Sequence, residues 1–245
     1  MNDLQRKYEA QIKEMVSVCH KLAIDKYVTS HGGNISWAVD RPAKTESNII
    51  ITPTKRFKGD VTFDDICILD YNGTVLYAPD NSKPTGETPF HLLIFHERSD
   101  VSSIIHAHPP FTTSFAINRS INYLSLPILP ETTTEIGPVC MVPYAEPLTE
   151  KLANNFKQYL NKYNAFLMEN HGITLVSRDS IERTRQLVDM IECTSISILE
   201  ALKLGEIKTL SKEEVENLER TMKTRDLPLP GKPDAWKKLV DCYRF

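Results

Sequence analysis

Two histidines separated by one residue close an apolar run and offer the first chemistry in the chain. The run reads Ile104-Ile105-His106-Ala107-His108-Pro109-Pro110, and its prolines end a segment that otherwise predicts a buried strand. Side chains two residues apart on a strand point to the same face, so His106 and His108 would project together from one edge of a sheet. Two neutral imidazoles side by side suit a divalent metal ion. The alternative is a pair of core histidines with ordinary hydrogen-bond partners.

A third histidine and a carboxylate could complete such a site. His171 follows a short apolar strand and precedes Gly172, which permits a tight backbone. Glu87 lies in the segment 83–89 (Lys-Pro-Thr-Gly-Glu-Thr-Pro), which opens a helix, and the helix dipole also favours a carboxylate there. Glu87 could therefore be a catalytic base or only a helix-start residue. His91, four residues later on the same helix face, could support Glu87 or simply pack.

Two loops carry residue types that bind anions. In Ser30-His31-Gly32-Gly33-Asn34-Ile35-Ser36, paired glycines let backbone N–H groups approach a ligand and Asn34 could add its amide. A Gly-Gly turn is equally explained by chain reversal. In Pro53-Thr54-Lys55-Arg56, a threonine and two cations follow a β-prone run and could serve an anion. Ordinary surface cations are the commoner explanation there.

The elements that would position these residues alternate between helix and strand. Apolar residues recur every three or four positions from Leu4 to Leu22, which predicts an amphipathic helix to about Lys26. Asn72-Gly73 predicts a hairpin of two antiparallel strands, which argues against a purely parallel, doubly wound sheet. Further helices are predicted at 111–117, from 147 to about 163, from about 179 to 204 and at 211–223. Further strands are predicted at 37–39, 48–52, 139–142, 165–168 and 173–177. The segment 126–137 is rich in proline and is predicted to be a loop.

The bulk properties narrow the protein class. A chain of 245 residues is long enough for one substantial α/β domain. A net charge of -3 gives no general attraction to nucleic acid or to a membrane surface. The amino terminus lacks the apolar core of a signal peptide, and no apolar stretch is long enough to span a bilayer. The five cysteines are scattered without C-x-x-C spacing, which predicts reduced thiols in a cytoplasmic protein.

Taken in order, five motifs resemble the class II aldolase/adducin family, which includes fuculose- and rhamnulose-phosphate aldolases and a ribulose-phosphate epimerase. The resemblance covers roughly residues 8–220. Each motif is loose alone, but their order and spacing together are specific. The motifs are Gly32-Gly33-Asn34-Ile35-Ser36, Thr52-Pro53-Thr54, Lys83-Pro84-Thr85-Gly86-Glu87, His106-Ala107-His108 and Asn170-His171-Gly172.

This resemblance implies an α/β fold and a metal site. The expected architecture is a three-layer α/β/α domain with a largely antiparallel central sheet over residues 1–225. The tail, 226–245, could either close over the active site or simply pack on its own subunit. The family also implies a homotetramer with active sites between subunits. His106, His108 and His171 match zinc ligands, with Mn²⁺ or Co²⁺ as substitutes. Glu87 matches the carboxylate that binds the metal at rest and acts as base.

The implied reaction is cleavage of a short ketose 1-phosphate, fuculose-1-phosphate-like, to dihydroxyacetone phosphate and an aldehyde. Such a cleavage leaves an enediolate, whose charge a divalent cation can stabilise without a lysine Schiff base. A carboxylate beside the metal can move a proton to or from carbon. The phosphate site of the family carries over onto Gly33, Asn34, Thr54, Lys55, Thr85 and Gly86.

Three departures from the family pattern bear on the substrate. Thr85-Gly86 stands where the aldolases usually have two serines, and Lys55 stands where a glycine often follows the Thr-Pro-Thr motif. The tyrosine used as acid has no clean counterpart near Leu126. The candidates for that acid are Tyr123, Glu131 and Tyr243.

These departures keep other functions open. On the same scaffold, the protein could be a decarboxylase of a 3-keto sugar-acid phosphate, a pentulose-5-phosphate 4-epimerase or a dehydratase. A non-enzymatic, adducin-like assembly module is a further alternative, although assembly alone would not need three histidines and Glu87. An unrelated metal hydrolase is the remaining one.

Overall fold

Eight strands form one sheet, with helices packed on both faces, in a computed structural model that describes residues 2–39, 47–119 and 121–245. The helices of this part of the chain are α1 (Asp3–Lys7), α2 (Glu9–Ile24), α3 (Thr88–Glu97), α4 (Pro110–Ala116), α5 (Pro130–Glu135), α6 (Glu150–Leu160), α7 (Ile181–Leu204) and α8 (Lys212–Thr224). Its strands are β1 (Asn34–Ala38), β2 (Ile49–Ile51), β3 (Cys67–Leu69), β4 (Val75–Tyr77), β5 (Ser103–Ala107), β6 (Val139–Val142), β7 (Ala165–Met168) and β8 (Gly172–Ser177).

The sheet is largely antiparallel, as predicted. Its strand order is β4-β3-β2-β1-β5-β8-β7-β6, and among these neighbours β6 and β7 alone run parallel. The hairpin predicted around Asn72-Gly73 is the β3–β4 pair. Because β1, β5 and β8 are adjacent at the centre, the Gly-Gly loop, the His-x-His motif and the His171 turn all meet at one edge of the sheet.

Two hydrophobic cores separate the three layers. Side chains of α2 and α7 pack on one face of the sheet, together with alternate strand residues such as Ile105 and Ala107. Helices α3 and α6 pack on the other face, with Ile104 among the strand residues that point there. Strand alternation places His106 on the same face as Ile104. The predicted three-layer α/β/α class is therefore confirmed.

Most predicted elements are present within a few residues of their expected bounds, but the proline-rich loop at 126–137 was wrong in part. Residues Pro130–Glu135 form the short helix α5. Pro130 occupies the first turn, where its missing N–H costs nothing. The helix is held by tertiary contacts, since Thr132 bonds to Thr194 of α7 through their hydroxyl groups at 2.8 Å. Proline content alone did not reveal that contact.

The carboxy-terminal tail packs on the rest of its own chain. Gly231 donates its N–H to the Asn164 side chain, and the Trp236 indole donates to the Lys162 carbonyl oxygen at 3.0 Å. Both acceptors precede β7, whose far end leads to His171. Within one chain, the tail therefore lies at the end of the strands opposite to the histidines and does not cover them.

Candidate active site

Three imidazole rings converge where β5 and β7 end, with His106 among the last residues of β5 and His108 and His171 just beyond the strands. The Nε2 atom of His106 lies 3.3 Å from Nε2 of His171 and 3.2 Å from Nε2 of His108. His106 is buried and the other two are partly buried. The expectation that the strand would present His106 and His108 together, with His171 beside them, matches this arrangement.

The protonation of these rings fits a metal ion. The Nδ1 atom of His106 lies 3.0 Å from the Ile173 carbonyl oxygen, so Nδ1 carries the proton and Nε2 presents a lone pair. Burial, together with the neighbouring imidazoles, lowers the pKa of His106 well below its usual value. Burial is also the main cause that lowers the pKa of His108 to about 4 and lowers that of His171. All three rings are therefore neutral at pH 7.

The spacing of the nitrogens fits a tetrahedral ion. Ligands held at 2.0–2.1 Å in tetrahedral geometry lie about 3.3 Å apart, which matches the two Nε2 separations. Two lone pairs facing each other without a proton between them would otherwise repel. His106, His108 and His171 together thus form a donor set suited to a divalent cation.

The Glu87 carboxylate lies next to this donor set. Its Oε2 is 3.7 Å from Nε2 of His106 and accepts a hydrogen bond from Nδ2 of Asn34 at 2.7 Å. The Asn34 Oδ1 atom in turn bonds to Nε2 of His91, and His91 Nδ1 bonds to the Ser36 hydroxyl at 2.6 Å. His91 is fully buried, and burial lowers its pKa to about 3, so it stays neutral and orients Asn34. Of the two predicted roles, His91 therefore supports Glu87.

Sequence reasoning missed Ser36 and the part that Asn34 plays as a bridge. The register of the β1–β5 pair explains why both residues lie in the site. Asn34 of β1 pairs with His106 of β5, and Ser36 lies two residues further on the same face, which is the face that α3 covers. The helix α3 then brings His91 and Glu87 over these strands.

The glycines of the motifs make room for the histidines. A Cβ atom on Gly172 would lie 2.4 Å from the His108 ring and 2.6 Å from the Ala107 carbonyl oxygen. One on Gly32 would lie 3.0 Å from the His108 ring. His108 is thus packed between two glycine backbones, which fixes its ring. The predicted Gly-Gly loop serves this packing as well as any anion.

Four of the predicted anion residues, Thr54, Lys55, Thr85 and Gly86, lie on two loops that pair with each other. Thr54 donates its N–H to the Lys83 carbonyl oxygen at 2.9 Å, and Thr85 donates to that of Thr52 at 3.0 Å. Lys55 adopts a left-handed conformation with φ of 53°, which explains why glycine suits that position. At Gly86 a Cβ atom would lie 2.8 Å from the Leu148 side chain, so a serine there would require Leu148 to move.

A cavity of about 530 Å³ opens along these loops. It is lined by Thr54, Lys55, Arg56 and Lys83, together with Asp65 and Asp80, and by none of the three histidines. Arg56 is paired with Asp65 at 3.3 Å. The cavity therefore has positive charge available for an anion next to the predicted phosphate residues.

A similar cavity of about 550 Å³ lies at the opposite end of β8 and is lined by Arg98, Arg178 and Arg183. Its arginines already form ion pairs within the protein. Arg98 and Arg178 both bind Asp100, and Arg183 pairs with Glu135. Because these ion pairs hold the arginines, and Asp179 and Asp226 add negative charge to the lining, the cavity is a poor anion site.

The three candidates for the acid do not reach the histidines of their own chain by any contact among the described residues. Tyr123 lies in a short 3-10 helix (Tyr123–Ser125), and Glu131 borders a groove against α8. Tyr243 is buried, and its hydroxyl donates to the Thr133 carbonyl oxygen at 3.1 Å. Tyr243 therefore packs within its own chain, and its hydroxyl does not reach the histidines of that chain.

Known proteins share this fold and are similar in sequence over most of the chain. The profile of the Class II Aldolase and Adducin N-terminal domain family matches residues 13–198. An L-fuculose phosphate aldolase from Methanocaldococcus jannaschii is 30% identical over 191 residues, covering 78% of this chain and 97% of that protein. A 3-oxo-tetronate 4-phosphate decarboxylase from Haemophilus influenzae is 24% identical over 212 residues, covering 86% of this chain and 96% of that protein.

A solved structure of an L-fuculose 1-phosphate aldolase matches with a TM-score of 0.76 at 27% identity, covering 87% of this chain and 96% of that one. The chain belongs to the class II aldolase and adducin family. This membership supports a lyase activity. Among the described residues, no helix is long and apolar enough to cross a membrane.

Proposed function

We propose that the protein is a metal-dependent aldolase that cleaves a short ketose 1-phosphate, similar to fuculose 1-phosphate, into dihydroxyacetone phosphate and an aldehyde. One observation carries the proposal: three histidine Nε2 atoms converge beside the buried Glu87 carboxylate, which lies 3.7 Å from His106. A structural core would not need this juxtaposition of three neutral imidazoles and a carboxylate. An aldolase needs both, a cation site for substrate oxygens and a base for the carbon.

His106, His108 and His171 would hold the ion, which we propose to be Zn²⁺, with Mn²⁺ or Co²⁺ as substitutes. When bound, a divalent ion would stabilise the negative charge that develops on two adjacent substrate oxygens. Three protein ligands leave coordination positions open for those oxygens. Glu87, which binds the ion at rest in this proposal, is close enough to exchange places with substrate.

Glu87 would act as the general base and acid at carbon. In the cleavage direction its carboxyl group delivers a proton to the carbon that loses the aldehyde, and in the reverse direction it removes that proton. Asn34 holds Oε2 at 2.7 Å, and His91 fixes Asn34. This chain of contacts limits the rotation of the carboxylate and keeps it over the ligand set.

Phosphate would bind at the loops that carry Gly33, Asn34, Thr54, Lys55, Thr85 and Gly86. The support is the cation-lined cavity next to Thr54 and Lys55. One N–H of the Asn34 amide is used on Glu87, which leaves the second for an anion. The Lys55 ammonium group would stabilise the phosphate charge in place of the serine hydroxyl that Gly86 lacks.

The proposed assembly is a homotetramer with active sites between subunits. Support comes from large apolar side chains that are exposed in the isolated chain near the histidine end of the sheet, including Phe111, Ile117, Tyr144 and Leu148. Ile117 directly follows Ala116, whose carbonyl oxygen bonds to Asn170 beside His171. A neighbouring subunit on this surface could bring Tyr123 or Glu131 to the substrate as acid. The five free cysteines favour a cytoplasmic location, where thiols stay reduced.

A decarboxylase of a 3-keto sugar-acid phosphate is the second candidate. Its specific support is Gly86, since a site without the usual serine hydroxyl has altered contacts to substrate, and the similarity to the Haemophilus influenzae decarboxylase. Loss of carbon dioxide would also leave an enediolate-type charge that a cation stabilises. A pentulose-5-phosphate 4-epimerase, a dehydratase and an adducin-like assembly module are weaker alternatives.

The substrate assignment is tested by screening the Zn²⁺-loaded protein. Ketose 1-phosphates, ketopentose 5-phosphates and keto-acid phosphates are supplied separately, and dihydroxyacetone phosphate, epimer and carbon dioxide are measured. We expect dihydroxyacetone phosphate from a ketose 1-phosphate. Release of carbon dioxide from a keto-acid phosphate alone would replace the aldolase by the decarboxylase.

The ligand assignment is tested by elemental analysis. We expect about one divalent ion per wild-type subunit and severe loss in His108→Ala, because one of three ligands is removed. His96→Ala is the matched control, since this exposed histidine bonds to the Tyr71 carbonyl oxygen, away from the cluster. Wild-type metal content in His108→Ala would reject the assignment.

A further inference from the structure

Lys58 is a buried cation behind the two anion-binding loops. It lies in a short 3-10 helix, Lys58–Asp60, that packs against α2. Its side chain is only 1% exposed, although lysine is one of the residue types least often buried. A buried ammonium group is costly unless it has partners. The partners of Lys58 are therefore informative.

Among the described residues, those partners come from the two loops themselves. The Nζ atom donates to the Arg56 carbonyl oxygen at 3.1 Å and makes a longer contact of 3.5 Å to the His31 carbonyl oxygen. His31 leads into Gly32-Gly33-Asn34, and Arg56 follows Thr54-Lys55. The ammonium group thus joins the two segments from behind, while their other sides border the site.

These contacts leave the charge of Lys58 incompletely compensated. An ammonium group has three donors and these contacts use two, both on neutral acceptors. Cys19 of α2 lies near, but burial raises the pKa of its thiol to about 12, so the thiol carries no counter-charge at pH 7. Burial lowers the pKa of Lys58, and Glu87 is the carboxylate that opposes this effect.

The charge of Lys58 also acts on the site. Its Nζ atom lies between the carbonyl oxygens of His31 and Arg56, which adjoin Gly32-Gly33-Asn34 and Thr54-Lys55. A positive charge held between these two segments has its field in the space where the substrate anion would bind. An anion bound there would be attracted to that charge.

We propose that Lys58 is a positioning residue that joins the His31–Asn34 and Thr54–Arg56 loops and supplies the fixed positive charge behind the anion site. The inference rests on the proposed phosphate-binding function. It predicts that anion affinity depends on the charge at position 58, and not only on the shape of the side chain. Lys58 itself stays buried and does not touch the substrate.

The test compares binding of inorganic phosphate to the metal-loaded wild type, Lys58→Gln, Lys58→Met and Lys58→Arg by calorimetry at two ionic strengths. Gln retains donors for the two carbonyl oxygens but removes the charge, and Arg retains the charge. We expect Gln and Met to bind phosphate at least about tenfold more weakly, because at an effective dielectric constant near 20 the attraction between two unit charges is worth tenfold in affinity out to roughly 10 Å. Arg should restore most of the affinity. The matched control is Lys203→Gln, an exposed lysine of α7 paired with Glu200.

Turnover gives a second readout. The Gln variant should raise KM for the phosphorylated substrate more than it lowers kcat, and added salt should weaken phosphate binding more in the wild type than in Gln. Wild type that binds no phosphate would reject the proposed phosphate site itself. If the wild type binds phosphate and Lys58→Gln binds it equally well, the role of Lys58 is overturned but the phosphate site is not. Failure of Gln, Met and Arg to fold would make Lys58 purely structural and would also overturn it.

Discussion

The surroundings of Glu87 separate its two predicted roles. A carboxylate at the start of α3 could serve only to cap that helix, but the Glu87 side chain makes no capping hydrogen bond to it. It turns instead to Asn34 and to the histidine cluster. These contacts favour the proposed catalytic role of Glu87, so removing its charge should affect turnover more than stability.

We expect Glu87→Gln to fold normally and to lose about 10²–10⁴-fold in kcat, because the amide keeps the shape but cannot accept the proton. The measurements are steady-state kinetics and denaturant unfolding of the metal-loaded protein. Glu97→Gln, an exposed glutamate at the other end of α3, serves as the control. An unfolded variant with unchanged activity per folded molecule would make Glu87 a helix-start residue only.

The low pKa of His91 makes stability depend on pH. His91 is neutral in the folded protein down to a pKa of about 3, whereas in the unfolded chain it takes up a proton below pH 6.5. The unfolded state therefore binds more protons in the window from pH 6.5 to about 3, and the stability that the neutral ring provides is lost as the pH falls through this window.

In metal-free protein, we expect the unfolding free energy of the wild type to fall more steeply between pH 6 and 4.5 than that of His91→Gln. The difference in slope should approach about 1.4 kcal/mol per pH unit, the value for one proton. Urea denaturation at several pH values measures it. Because all other titrating groups are shared by both proteins, equal slopes would contradict the buried, neutral state of His91.

At the scale of elements, the start of α4 shows how the His-x-His motif is held. Pro109 and Pro110 have no N–H groups, so the first donors of this helix are those of Phe111 and Thr112. Both donate to the Glu192 carboxylate of α7, at 2.9 and 2.7 Å. A buried carboxylate at a helix N-terminus is favoured by the dipole. The helix that follows His108 is thus anchored to the longest helix of the described chain.

The β7–β8 hairpin positions His171 and also constrains His108 through Gly172. We expect Gly172→Ala to retain the fold and to lower metal affinity, because its Cβ atom would displace the His108 ring and press on the Ala107 carbonyl oxygen. Metal titration with a chelator competitor measures the effect. Gly205→Ala, with open space around it but a left-handed φ of 148°, is the control for backbone strain. Equal metal affinity in Gly172→Ala and wild type would show that His108 adapts freely.

At the scale of the whole molecule, the tail and α8 form a third hydrophobic cluster. Val215 and Met222 of α8 pack with Leu239 and Tyr243 of the tail. Glu219 reinforces the contact by accepting the Leu239 N–H at 2.8 Å. Residues 226–245 therefore behave as part of the subunit's packing at the far end of the strands.

For this reason we expect Tyr243→Phe to lower stability by about 1–2 kcal/mol, since the Thr133 carbonyl oxygen loses its buried partner, while kcat stays within about twofold. Chemical denaturation and steady-state kinetics are measured on the same preparation. Tyr123→Phe is compared in parallel, because Tyr123 remains a candidate acid. A tenfold fall in kcat for Tyr243→Phe without loss of stability would instead place the tail at the active site of a neighbouring subunit.

The sequence by itself determined the features that depend on local geometry. Alternation along a strand placed His106 and His108 on one face, and turn chemistry at Asn72-Gly73 gave the hairpin and hence an antiparallel sheet. The order of the five motifs gave the family, which the comparisons confirmed. These features depend on a few neighbouring residues, so the sequence alone is enough to predict them.

Only the tertiary structure decided the contacts between distant segments. The Asn34–Glu87 bond joins residues 53 apart and requires both the β1–β5 register and the placement of α3 over it. The burial of Lys58, the helical turn at Pro130–Glu135 and the docking of Tyr243 likewise depend on which surfaces pack together. Local pattern leaves such contacts open because burial and hydrogen bonding between remote residues are properties of the packed chain, and packing can override local propensity.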